Sequence, residues 1–142
     1  MRVSSYAVAR PAAFDRNPVQ TVKNYAAFSL APAALTVRWT YTVPAGKRAL
    51  LTSAHIYVQR NSTATSIGQN QYDISIAPLG IGATAIMQFY DSDNTLQRTL
   101  SGFMGQGPLL NATDVVTGNT RDGSTGGSNN TSISATFTEF DA

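Results

Sequence analysis

The most regular stretch of the chain begins at Leu35. Leu35, Val37, Trp39, Tyr41 and Val43 alternate with Thr36, Arg38, Thr40 and Thr42. A period of two sends successive side chains to opposite faces of a strand, so this run predicts a strand with one buried and one solvated face. Pro44-Ala45-Gly46-Lys47 supplies the turn chemistry that ends it. A second long strand is expected over 48–60, rich in Leu50, Leu51, Ile56, Tyr57 and Val58, and 61–70 reads as a polar loop. Further strands are expected at 72–77, 83–90, 95–100, 109–117 and 132–140, separated by segments rich in Gly, Pro, Ser, Asn and Asp. No apolar stripe is long enough for the helices of parallel crossovers. The pattern therefore predicts an all-β antiparallel β-sandwich or jelly roll of about seven to eight strands.

Residues 1–34 read differently. Pro11, Pro18 and Pro32 interrupt them, and Ala is frequent. Val19, Val22, Ala26 and Leu30 have a weak helical spacing that would allow a short helical turn. The segment also holds four aromatic residues, Tyr6, Phe14, Tyr25 and Phe28, where a disordered tail normally lacks them. Two readings stand: a strand and loop packed on their own domain, or an arm that buries these rings on a neighbouring subunit. The division adopted is an extended N-terminal arm over 1–34 and a sandwich domain over 35–142.

Composition narrows the function. The chain has 142 residues, enough for one domain, and 42% of them are hydrophobic, enough for a core. Charged residues make up only 13%, and 17 Thr, 13 Ser and 9 Asn take their place. The net charge is +2, but it is unevenly spread. Residues 1–34 carry four basic groups against one acid, and residues 91–142 carry two against six. The basic residues are scattered singly apart from Lys47-Arg48, which argues against nucleic acid as a partner; pairing of unlike surfaces between copies explains the asymmetry better. No stretch is apolar enough for a membrane helix, so no membrane partner is expected. Met1 is not followed by the apolar stretch of a signal peptide, so synthesis as a soluble cytoplasmic chain is expected.

Catalytic chemistry is poorly supplied. There is no Cys, which removes thiolate nucleophiles, thiolate metal ligands and disulfides. His55 is the one imidazole, inside an expected strand beside Ser53 and Tyr57, with no nucleophile elbow to accompany it. Asp91, Asp93 and Asn94 begin like a calcium loop, but Leu96 stands where that loop needs glycine. Asp73, Asp114, Glu139 and Asp141 could serve glycoside chemistry only if the fold paired two of them in a cleft. Gly123–Gly127 lacks the Lys-Ser/Thr ending of a phosphate loop. No catalytic residue, metal site or cofactor is expected, and an enzyme is not. Trp39 and Tyr41 share the core face, whereas Tyr57 and Tyr72 flank the 61–70 loop and are the candidates for contact with an external ligand.

The run Thr40-Tyr41-Thr42-Val43-Pro44-Ala45-Gly46-Lys47-Arg48-Ala49-Leu50-Leu51 resembles small jelly-roll virion proteins of tailed bacteriophages. Leu110-Asn111-Ala112-Thr113-Asp114-Val115-Val116 and the closing Phe137-Thr138-Glu139-Phe140 add to it, over about residues 36–140. The resemblance implies a capsid decoration, or cement, protein located in the virion, a homotrimer whose partners are its own copies and the major capsid protein. On that reading Tyr6, Phe14, Tyr25 and Phe28 anchor the arm, and Arg10, Arg16 and Lys23 meet an acidic surface. The alternative is a tail or head-fibre module that binds a host glycan through Tyr57 and Tyr72.

Overall fold

The computed structural model describes residues 19–27, 34–60, 70–77, 82–91, 97–104, 107–122 and 129–142. Nine antiparallel strands and no helix occupy them. They are β1 (Val19–Ala27), β2 (Thr36–Thr42), β3 (Lys47–Arg60), β4 (Asn70–Ala77), β5 (Thr84–Asp91), β6 (Gln97–Met104), β7 (Leu109–Leu110), β8 (Val115–Asp122) and β9 (Asn129–Asp141). One sheet has the order β1-β9-β3-β6, with the short β7 also paired to β3, and the other runs β2-β8-β4-β5. The expected all-β sandwich is the observed architecture.

The core lies between the sheets. Leu51, Ile56, Ile133 and Phe137 face it from the first sheet, and Tyr41, Tyr72, Ile74 and Val116 from the second. Burial of each such side chain contributes about 1.5–3 kcal/mol. Tyr41 and Phe137 stack across the gap with ring centroids 3.9 Å apart. Trp39 ties the sheets by polarity as well, because its Nε1–H donates to the backbone oxygen of Ile133 at 3.0 Å. The indole can lie there because its neighbour on β8 is Gly118, whose missing side chain leaves room for the ring.

Four expectations need correction. The helical spacing of Val19, Val22 and Ala26 is not used, since Val19–Ala27 pairs residue by residue with Glu139 to Thr131 of β9; Leu30 lies outside the described residues. Thr21, Lys23 and Tyr25 face inward and Val22 is exposed, so the strand's alternation was hidden by polar groups at its buried positions. The described part of the supposed arm is therefore an edge strand of the domain, and a boundary after residue 34 cuts through the fold; residues 1–18 and 28–33 lie outside the described residues. In β2, a register shift between Val37 and Trp39 inserts Arg38 as an extra residue, a bulge that reverses the facing of what precedes it. Leu35 and Val37 are consequently 50% and 57% exposed rather than on the core face with Trp39.

The strand expected over 109–117 breaks in two, because the chain passes from one sheet to the other at Asn111–Asp114. Backbone N–H of Asn111 donates to Asp114 Oδ2 at 2.8 Å, and Asp114 N–H returns to Asn111 O at 3.1 Å. Thr113 holds φ 71° there, a left-handed conformation that is costly for a β-branched residue. The turn at Pro44–Lys47 is as expected, with Gly46 at φ 73° and Lys47 N–H donating to Pro44 O at 3.1 Å.

Candidate interaction surface

β1 and β2 are consecutive in the chain, are the first strands of their sheets, and lie in contact. Each therefore has one row of backbone groups with no described strand beside it, a template for pairing unless it is protected. β1 is regular along all nine residues. Its inward Lys23 and the bulge at Arg38 on β2 are the devices that blunt such edges. The Arg38 guanidinium lies over the Tyr25 ring, 4.7 Å from its centroid, and its Nε donates to Thr120 Oγ1 at 2.7 Å. These contacts pin the two edges together.

Apolar exposure concentrates on the same side. Among the described residues, Val19, Val22, Leu35 and Val37 are exposed here, against Tyr90 and Leu109 elsewhere. Val22 lies on the outer side of the first sheet and Val37, beyond the bulge, on the outer side of the second, so these side chains border the two edge strands from either side.

The candidate contact residues fare unequally. Lys23 and Tyr25 both face the interior side of β1 and are half-buried, Tyr25 being packed against the core. That position suits Tyr25 to holding its own sheets together rather than reaching a neighbour. Tyr6, Arg10, Phe14, Arg16 and Phe28 lie outside the described residues. Tyr72 is 0% exposed, within the core beside Phe89 at 6.0 Å between ring centroids. It cannot meet an external ligand, because β4 turns Asn70, Tyr72, Ile74 and Ile76 inward. Tyr57 keeps a half-exposed place on the outer face of the first sheet, with its hydroxyl donating to Gln59 Oε1 at 2.6 Å. His55 shares that face, opposite Ser134 of β9 and Ser101 of β6.

The four carboxylates considered for catalysis each have a different partner. Asp73 lies on the outer face of the second sheet yet is only 2% exposed; Asn119 Nδ2 and Ser75 Oγ donate to its Oδ1 at 2.6 and 2.7 Å, and Gln71 Nε2 to Oδ2 at 2.8 Å. Asp114 closes the turn described above. Glu139 Oε1 accepts from Tyr41 at 2.9 Å and from Thr21 at 3.2 Å. Asp141 pairs with Lys47 at 2.5 Å. No two share a cleft as acid and base, and among the described residues no cluster of three His, Asp or Glu could hold a metal. Asp91 ends β5, while Asp93 and Asn94 lie outside the described residues.

Tyr41 lies with its hydroxyl against Glu139 inside the sandwich. Burial, then the hydrogen bond to Glu139, then that residue's negative charge, raise its pKa well above the usual tyrosine range.

No family model matches the chain, and no curated protein does. Among solved structures it is similar to the structure of the infectious bursal disease virus Gx strain, over 86% of this chain at 16% identity and a TM-score of 0.39. A second similarity is to the VP2 subviral particle of infectious bursal disease virus, over 89% of this chain at 8% identity and a TM-score of 0.32. The chain spans 33% and 38% of the length of those two chains.

Three features escaped the sequence reading: the Asp73 network, the bulge at Arg38, and the Arg38–Tyr25 stack. Only the first had a signal. Gln71, Asp73 and Ser75 alternate along one strand, as do Thr117 and Asn119 on another, and that polar alternation could have marked a shared face.

Proposed function

We propose that the protein is a structural virion subunit that works through surface contact between its copies and with other capsid proteins, and that it performs no catalysis. The observation that carries this reading is the β1/β2 side, where four exposed hydrophobic side chains adjoin two strand edges that no described strand pairs. Lys23 and the bulge at Arg38 blunt the edges against open-ended pairing but leave these hydrophobic side chains in water, and burying them against a second domain removes that exposure. The likeness of Thr40–Leu51 to small phage virion proteins supports a decoration or cement role. The uneven charge supports association of unlike surfaces, with a basic front meeting an acidic back. Tyr6 and Arg10, far enough along the chain from β1 to reach a neighbour, are the contacts assigned to the leading segment. The glycan-binding alternative keeps Tyr57 and loses Tyr72.

The test is the solution mass by light scattering after size exclusion, for the full chain and for Val22→Glu/Val37→Glu. A homotrimer, three times 15.1 kDa, that falls to monomer in the double variant supports the reading. A full chain that stays monomeric at high concentration and does not sediment with capsids would refute it.

A further inference from the structure

The outer face of the second sheet holds an ordered polar platform. Strands β5, β4 and β8 lie side by side there, and their registers set Tyr90, Gln71 and Arg121 in one row. Gln88, Asp73 and Asn119 form the next row. Tyr72 and Phe89, which alternate with these residues, are in the core, so the two rows point outward. Two strand spacings across and one pleat repeat along give a face of about 10 Å by about 7 Å. Tyr90 stands at its β5 border, 51% exposed, the one aromatic among the exposed large hydrophobic residues described.

The Asp73 network fixes what this face presents. A carboxylate offers only acceptors, so each amide bonded to it must turn its nitrogen inward and its oxygen away. Gln71 Nε2 and Asn119 Nδ2 both donate to Asp73, and Asn119 gives its second N–H to Thr117 Oγ1 at 3.2 Å. Gln71 Oε1 and Asn119 Oδ1 are thereby held as acceptors for a group arriving from outside. Their side chains are already ordered by the network, so a ligand does not bear that entropic cost. Outward carbonyl oxygens disfavour an anion. A metal ion would need the Asp73 oxygens, which three side-chain donors occupy. Arg121 and Asp73 balance in charge, so nothing on the face selects a charged ligand. A neutral sugar fits both halves of the platform, since a pyranose has an apolar C–H face for the ring and hydroxyl donors at its rim.

We infer that the outer face of β5, β4 and β8 binds a neutral oligosaccharide. One pyranose stacks on the Tyr90 ring and donates a hydroxyl to Gln71 Oε1, and the next unit reaches Asn119 Oδ1, with Gln88 beside the chain. Pyranoses with equatorial substituents expose the flattest C–H faces, so β-1,4-linked glucose and N-acetylglucosamine chains are the sugars that match a sheet surface. The site shares no residue with Tyr57, which lies on the other sheet. It is also independent of the assembly proposed above. In the order β2-β8-β4-β5, Tyr90 occupies the edge opposite β2, so the platform stays open when the β1/β2 side is covered.

The test is saturation-transfer NMR on the full chain with cellotetraose, tetra-N-acetylchitotetraose and the acidic tetragalacturonate, each at millimolar concentration. Transfer to the ring protons of at least one neutral sugar is expected, and none to tetragalacturonate. Calorimetric titration of the bound sugar should show Kd rising about tenfold or more in Tyr90→Ala, as for the loss of one stacking contact, and about fivefold in Gln71→Met, which loses the acceptor. Tyr90→Phe keeps the ring and should stay within about twofold. Tyr90 lies outside the core, so an unchanged Tm should accompany the alanine variant. No transfer to either neutral sugar, or a preference for tetragalacturonate, would overturn the inference. So would a Kd indifferent to Tyr90→Ala, or one abolished by Tyr57→Ala, which would move binding to the first sheet. A lower light-scattering mass in Tyr90→Ala would assign the face to protein contact and also overturn it. The mass of the parent chain and of Val22→Glu/Val37→Glu reports separately on assembly, so either idea can fail alone.

Discussion

Gly118→Ala probes the joint between the two sheets. A Cβ built on Gly118 would lie 2.5 Å from Trp39 Nε1 and 2.7 Å from its Cζ2, well inside any tolerable contact. The indole cannot retreat freely, because it is buried and its Nε1–H is held by Ile133 O at 3.0 Å. Forcing extra volume into a packed core costs about 1–3 kcal/mol. Tilting the ring away also breaks a buried hydrogen bond, which adds about 1–3 kcal/mol. Replacing glycine recovers about 0.4–1 kcal/mol through the unfolded chain. The net expectation is a loss of about 3 kcal/mol, which for a domain of this length lowers Tm by about 10 °C. Thermal unfolding followed by circular dichroism measures it, and emission from Trp39, the one tryptophan, reports whether the ring has moved toward water. The same substitution made in Trp39→Phe, which lacks the atoms at issue, should cost less than about 1 kcal/mol. A Tm change under 2 °C in the natural background, or an equal cost in both backgrounds, would refute the steric argument.

Other outcomes follow from buried polar groups and strain. Tyr41 has a folded pKa above its unfolded value of about 10, so its contribution is complete below that pH and is lost as pH rises further. Urea unfolding between pH 8 and pH 11.5 should show Tyr41→Phe losing less stability than the parent chain over the alkaline part; parallel curves would contradict this. Asp73→Ala removes the acceptor of three side-chain donors and should cost about 2–4 kcal/mol in urea unfolding, despite its place on an outer face. A cost below 0.5 kcal/mol, on the order of an ordinary surface change, would mean the network is ornamental. Thr113→Asn keeps the left-handed turn with a residue that accepts it more readily and should stabilise by about 1 kcal/mol, seen as a higher urea midpoint with unchanged slope. A lower midpoint would show that the threonine hydroxyl or methyl outweighs the strain.

The functional reading depends on features of very different visibility. The scarcity of chemistry-bearing side chains is evident from composition, and Asp73, Asp114, Glu139 and Asp141 are engaged one by one in a polar network, a turn and strand ends. The surface that supports an assembly role is not visible in that way. Leu35 and Val37 look like core residues in the sequence, and a single inserted residue at Arg38 makes them surface.

What the amino-acid order determined by itself was the class of fold and the positions of most strands. Strict alternation at Trp39, Tyr41 and Val43, and turn residues such as Gly46, are local signals, because the pleat of a strand and the steric freedom of glycine act within a few residues. Tertiary structure decided the rest. Edge strand β1 carries polar residues at its inward positions, so its facing is defined only by pairing with β9, more than a hundred residues away. Tyr72, flanking a polar loop in sequence, became core because Asn70 to Ile76 turn every second side chain toward the opposite sheet. Asp73 acquired its partners when β8 paired with β4 and brought Asn119 beside it. Such outcomes depend on which strand lies alongside, and a period of two specifies that a face exists without specifying what will cover it.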